Sequence, residues 1–151
     1  MDPSLWPGDP ASIRNRLGWL DAPRRMRPQL PRLRAFAEEI RGEGIRRVLL
    51  VGMGGSSLFP EVLARTVGPA PGFPALQILD STCPSEVLAA EAAITDPGST
   101  LVVAASKSGT TLEVDALIAR LRLRLEDPRR FVAITDPGTP LEARARREGF
   151  R

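Results

Sequence analysis

The sequence predicts a doubly wound α/β fold, a parallel sheet covered by helices on both faces to give three layers. Three observations carry this expectation. Four short apolar runs, "RRVLLVG", "ALQILD", "STLVVAA" and "RFVAITD", read as strands buried on both faces. Each is followed by a stretch with helical character, and strands alternating with helices imply a parallel sheet. Each run also ends in a loop rich in glycine, serine, threonine or aspartate: "GMGGSS", "DST", "SKSGTT" and "TDPGT". In an open α/β sheet that carboxyl edge is where ligands bind.

In chain order, residues 1–27 are rich in proline and hold both Trp6 and Trp19, so they read as an arm of extended or short helical pieces packed over a core. Residues 28–151 read as the globular domain. Its first helix lies in "PQLPRLRAFAEEIRGEG", where Leu30, Leu33, Phe36, Ala37 and Ile40 recur at helical spacing and Gly42 or Gly44 marks the stop. After the first strand, "SLFPEVLARTV" reads as a helix with Pro60 in its first turn, where backbone N–H groups lack partners anyway. "PSEVLAAEAAI" follows the second strand. "TLEVDALIARLRLRLE" follows the third, with Val114, Leu117, Ile118, Leu121 and Leu125 as one apolar stripe. "PLEARARREG" follows the fourth and ends at Gly149. Phe150 and Arg151 read as the start of a fifth strand, so the domain is expected to be cut short at its C-terminal end.

The totals narrow the function. Apolar residues at 42% and charged residues at 26% are those of a soluble globular protein. No run approaches the ~18 apolar residues of a membrane span, and no signal peptide is visible, which leads to the expectation of a cytoplasmic protein with no membrane partner. One cysteine, Cys83, excludes an internal disulfide; it reads as a small buried hydrophobe rather than a nucleophile. A net charge of +3, with scattered arginine pairs and no tyrosine, argues against nucleic-acid binding. There is no histidine, so the commonest general acid/base is missing.

Among the loops, "SKSGTT" stands out. It holds Lys107, the single lysine beside 20 arginines. It joins a strand to a helix start, where free N–H groups and the positive dipole end favour an anion. Ser106, Ser108, Thr110 and Thr111 supply hydroxyl donors, and Gly109 permits a tight turn. A capping box of Thr110 and Glu113 would account for two of these residues without a ligand. In the first loop, Gly52-x-Gly54-x-x-Ser57 nearly matches a dinucleotide fingerprint, with Asp80 where a ribose-binding acid would sit. Its third glycine is a serine, however, and the richest donor loop follows the third strand instead. Asp80, Ser81 and Thr82 read as caps with Pro84 in the first helical turn, and Thr139, Pro140 and Glu142 as a capping box.

Together "VLLVGMGGSSLFPEV", "LDSTCPSEV", "LVVAASKSGTTLEV" and "FVAITDPGTPLEARARREGFR" resemble the N-terminal sugar isomerase (SIS) domain of glucose-6-phosphate isomerase. With "RLGWLDAPRRM", the likeness is to the bacterial form that also occurs fused behind a transaldolase, and it runs from about Arg16 to Arg151. The resemblance implies that Ser106, Lys107 (through its backbone), Ser108 and Thr111 bind the phosphate of a phosphorylated hexose, and that Gly55 and Ser56 lie against the sugar. It implies interconversion of glucose 6-phosphate and fructose 6-phosphate, in glycolysis and gluconeogenesis, with no metal and no organic cofactor. The family's glutamate, histidine and lysine belong to a later half, so no catalytic residue is assigned to this chain, and Glu61 and Glu113 are not put in their place. It also implies a homo-oligomer, or association with the missing C-terminal half. Two other readings stand beside it: a non-catalytic sugar-phosphate sensor on the same fold, and a dinucleotide-binding domain.

Overall fold

A computed structural model of the chain describes residues 5, 7–11, 13 and 17–151. The chain divides into two compact units, residues 1–39 and 40–151. In the first, a 3-10 turn at Gly18–Asp21 leads into α1 (Ala22–Met26), and a second 3-10 turn at Arg27–Gln29 follows. Proline near the start of the last two suits positions whose N–H would be unsatisfied in any case. Trp6 lies outside the described residues. Trp19 is 67% exposed, so it does not pack over a core as its size suggests. Helix α2 (Leu30–Gly42) begins in this unit and ends in the next. Its expected stripe is buried only towards its end: Ile40 is buried, Phe36 and Ala37 half-buried, and Leu30 and Leu33 exposed.

The second unit holds a four-stranded parallel sheet in the order β2-β1-β3-β4, built from β1 (Arg47–Gly52), β2 (Ala75–Leu79), β3 (Thr100–Ala105) and β4 (Phe131–Ile134). The helices between and after them are α3 (Gly55–Val67), α4 (Pro84–Ala93), α5 (Leu112–Arg122) and α6 (Pro140–Glu148). The doubly wound fold is as expected. Two boundaries differ. Helix α3 starts two residues earlier than the sequence suggests, so Pro60 falls inside the helix and removes the N–H that would bond the Ser56 carbonyl. Helix α5 ends at Arg122, whose guanidinium donates to the carbonyls of Leu125 and Glu126 in the segment that follows. Leu125 still completes the apolar stripe, and all five of its members are buried.

The two faces of the sheet are unlike. Leu49, Val51, Val102, Ala104 and Phe131 join Ile94 of the segment after α4, the stripe of α5 and Leu141 of α6 in one core. Side chains alternate along a strand, so Leu50, Val103, Val132 and Ile134 point to the other face. Right-handed crossovers explain the split: the step from β1 to β2 runs one way along the sheet, and every later step runs the other. Helix α3, packed on β1 and β2, therefore takes the second face and gives no residue to that core. After α6, Gly149 adopts the left-handed conformation at φ 75° and ends the helix. Phe150 then stacks on Phe131 with ring centroids 5.2 Å apart, and the Arg151 N–H donates to the Phe131 carbonyl at 2.9 Å. Neither Phe150 nor Arg151 belongs to a strand, and the sheet has four strands among the described residues.

Candidate functional site

The sheet order places a topological switch point between β1 and β3: the chain leaves β1 towards β2 and leaves β3 towards β4. The loops after these two strands therefore open on one crevice at the carboxyl edge. Gly52 and Ala105 are paired in register at its base.

The first loop turns on glycine. Gly54 caps α3 at φ 56° and ψ −122°, a conformation that side chains resist. No side chain caps the α3 N-terminus. Gly55 and Ser56 form its first turn; Gly55 is exposed, with open space where a side chain would stand. Ser57, at the position of the missing third fingerprint glycine, is buried, and its hydroxyl donates to the Gly54 carbonyl at 3.0 Å. That hydroxyl shapes the turn from beneath.

The second loop is the "SKSGTT" segment. Ser106 continues the ladder, its N–H donating to the Ile134 carbonyl at 3.0 Å. Its side chain is buried, and the hydroxyl accepts from the Gly109 N–H at 3.1 Å while lying 2.8 Å from the Thr111 hydroxyl. If Ser106 donates to Thr111, the Thr111 proton is left to point outward, so Ser106 orients a donor rather than presenting one. Ser108 and Thr110 are exposed, with their hydroxyls 3.0 Å apart. The capping box of Thr110 and Glu113 does not form. The cap residue of α5 is Thr111, and no side-chain hydrogen bond caps the helix. The exposed Ser108 and Thr110 hydroxyls thus stand beside a helix start that no side chain caps, an arrangement suited to an anion. Beneath the loop, the space between Ser106, Gly109, Thr111 and Leu141 is only about 10 Å³, room for one water at most, so the loop rests on a closely packed floor.

Lys107 is exposed, and its carbonyl accepts from the Asp136 N–H at 3.3 Å. That bond shows what the residue-level reading missed: the loop after β4 braces the loop after β3. The Thr139 and Thr135 hydroxyls are 2.8 Å apart, and the Thr139 side chain packs so closely on Gly109 that a Cβ there would come within 2.6 Å of the Thr139 Cβ. Gly109 has φ +66°. Thr139 caps α6 as expected, accepting from the Glu142 N–H at 3.2 Å. The return arm of that box differs: the Glu142 carboxylate accepts from Gly138, at 2.6 Å, rather than from Thr139. With Arg146, this bond holds the Glu142 carboxyl below the usual carboxylate range. Asp115, in the first turn of α5, is paired with Arg144, which offsets its charge at that helix start.

The loop after β2 is on the far side of β1. Ser81 accepts from the Cys83 N–H at 3.0 Å, Pro84 opens α4, and no side chain caps that helix. Cys83 is exposed, which overturns the expectation of a buried hydrophobe; it is the cap residue of α4 and cannot reach the core. A hydrogen bond from Ser85 draws its thiol pKa down. Among the described residues, no group of acidic, cysteine or histidine side chains could hold a metal ion, and no helix is long and apolar enough to cross a membrane.

Fold and loops together define a doubly wound α/β domain with glycine- and hydroxyl-rich loops after the two strands of its switch point. No protein-family model matches the chain. Glucose-6-phosphate isomerase of Synechococcus sp. (strain JA-2-3B'a(2-13)) is 32% identical to it over 157 residues, covering 87% of this chain and 29% of that protein. The enzyme of the same name from Thermus thermophilus (strain ATCC 27634 / DSM 579) is 36% identical over 151 residues, covering 95% of this chain and 34% of its own length. Two solved structures superpose well. One is a hypothetical protein, TT0462, from Thermus thermophilus, with a TM-score of 0.70, 32% identity, and coverage of 89% of this chain and 33% of that one. The other is a glucose-6-phosphate isomerase from Chlamydia trachomatis D/UW-3/Cx, with a TM-score of 0.69, 30% identity, and coverage of 82% and 25%. The chain belongs to the glucose-6-phosphate isomerase family, and spans about a third of the length of these relatives.

Proposed function

We propose that this domain grips the phosphate of a hexose 6-phosphate at the "SKSGTT" loop, as part of an enzyme that interconverts glucose 6-phosphate and fructose 6-phosphate. The observation that carries this reading is the start of α5. It has no side-chain cap, yet it is fronted by Ser108, Thr110 and Thr111, with Ser106 holding the Thr111 hydroxyl from below. Phosphate oxygens would take donors from these hydroxyls and from the N–H groups of the first turn, with Lys107 adding positive charge nearby. The bare turn at Gly55 and Ser56 faces the same crevice and offers room for the sugar. The proton transfer between the two sugar carbons needs a base and an acid that this domain is not assigned. Its part is binding and orientation.

Calorimetric titration with fructose 6-phosphate tests this, with unphosphorylated fructose and NAD as comparisons. Saturable binding of the phosphosugar, weakened tenfold or more by Thr111→Val, supports the reading. Equal binding of fructose, or binding of NAD instead, overturns it.

A further inference from the structure

We propose that Arg144 sets the anion affinity of the α5 start by offsetting the charge of Asp115; the inference rests on the sugar-phosphate reading. The first turn of α5 carries two carboxylates, Glu113 and Asp115. They suit the helix dipole, but they repel a phosphate brought to the same N–H groups. Asp136 adds a third, its own N–H holding the Lys107 carbonyl. The donor loop itself supplies one cation, Lys107. A dianion would therefore enter a region where acids outnumber bases, unless a further cation reaches it from outside the loop. Arg144 of α6 is that cation.

Its geometry fits the task. The Arg144 side chain is 16% exposed and spans from α6 to α5. Nη1 donates to both the carboxylate and the backbone carbonyl of Asp115, while Nε donates to Glu148 at 2.8 Å. Anchored on both helices, the guanidinium is held at the α5 start rather than left to follow solvent. The other arginines of α6 do not share this place: Arg146 pairs with Glu142 and Arg147 with Glu148, both within the helix. Asp115 is 66% exposed, so the ion pair itself contributes little to stability. What it fixes is where a positive charge stands. A charge so placed acts on a nearby anion through Coulomb attraction that salt weakens. Arg144 is thus a positioning residue that acts through Asp115, and not a ligand of the phosphate.

Calorimetric titration with fructose 6-phosphate at about 10 mM salt, where screening is weak, tests this on the parent chain and four variants. Arg144→Gln should weaken binding by about threefold to tenfold, and Asp115→Asn should tighten it by a similar factor. The double substitution should return to within about twofold of the parent, as should Arg144→Lys, which keeps the charge. At about 0.5 M salt all these differences should shrink below about twofold. A purely structural brace predicts other signs: Asp115→Asn would weaken binding as well, and the double substitution would not recover. That pattern, or effects that salt leaves unchanged, would overturn the proposal. Asp115→Asn carries the test by itself should Arg144→Gln fail to fold. A parent chain that binds fructose 6-phosphate while every variant binds alike would overturn this inference alone. A parent chain that does not bind it would overturn the sugar-phosphate reading as well.

Discussion

Gly109 and Thr139 meet where the loops after β3 and β4 touch: the space a Cβ would need at Gly109 is already filled by the Thr139 side chain and, at 3.0 Å, by the Leu141 backbone nitrogen. One loop offers the donors and the other fixes their position. Gly109→Ala combines this clash with a backbone at φ +66°. It should cost about 2–4 kcal/mol. Thermal unfolding checks this, and loss of phosphosugar affinity should accompany it.

Thr139 has two jobs, capping α6 and bracing Gly109. Thr139→Ala should lose about 1–2 kcal/mol of stability, measured by urea unfolding. Thr139→Ser keeps the capping hydroxyl but not the methyl that packs on the loop. It should recover most of the stability while leaving the affinity for fructose 6-phosphate reduced.

Ser108 and Thr111 separate binding from folding. Ser108 is exposed, so Ser108→Ala should change stability by less than about 0.5 kcal/mol and still weaken binding severalfold. Thr111→Val also removes one of the two partners of the buried Ser106 hydroxyl, leaving the Gly109 N–H, so it should cost about 1 kcal/mol in addition to its effect on binding. Calorimetry and chemical unfolding of the same samples distinguish the two.

Glu142 should make the brace sensitive to acid. Its carboxyl pKa is lowered, first by the Gly138 N–H and then by Arg146. Stability from a depressed carboxyl is fully present above the unfolded-state value, near ~4.3, and is lost as pH falls through the folded-state value. The melting temperature of the parent chain should therefore exceed that of Glu142→Gln at neutral pH. The gap should close as pH drops below about 4.

The sheet, its alternation and the donor loops are legible in the sequence because they are local: apolar runs, glycine turns and hydroxyl clusters sit within a few residues of one another. What is not legible depends on register. Thr139 reads as a helix cap and Thr135 and Asp136 as the end of the fourth strand run and its loop, since nothing in their spacing says that β4 pairs with β3 so as to set them against Lys107 and Gly109. Similarly, Thr110 and Glu113 match a capping box, but the helix starts one residue later, so the box does not close. Cys83 is misplaced because composition alone does not tell a buried position from an exposed helix cap. The apolar run of α3 reads as a helix, but the face of the sheet it covers follows from the handedness of the β1-to-β2 crossover.

The most direct test of the central claim is a backbone-amide NMR titration of the chain with fructose 6-phosphate. The account predicts saturable shifts concentrated at Ser108, Gly109, Thr110 and Thr111, with smaller ones at Gly55 and Ser56, and none at matched concentrations of fructose. Shifts that avoid the "SKSGTT" loop, or that fructose reproduces, would contradict it.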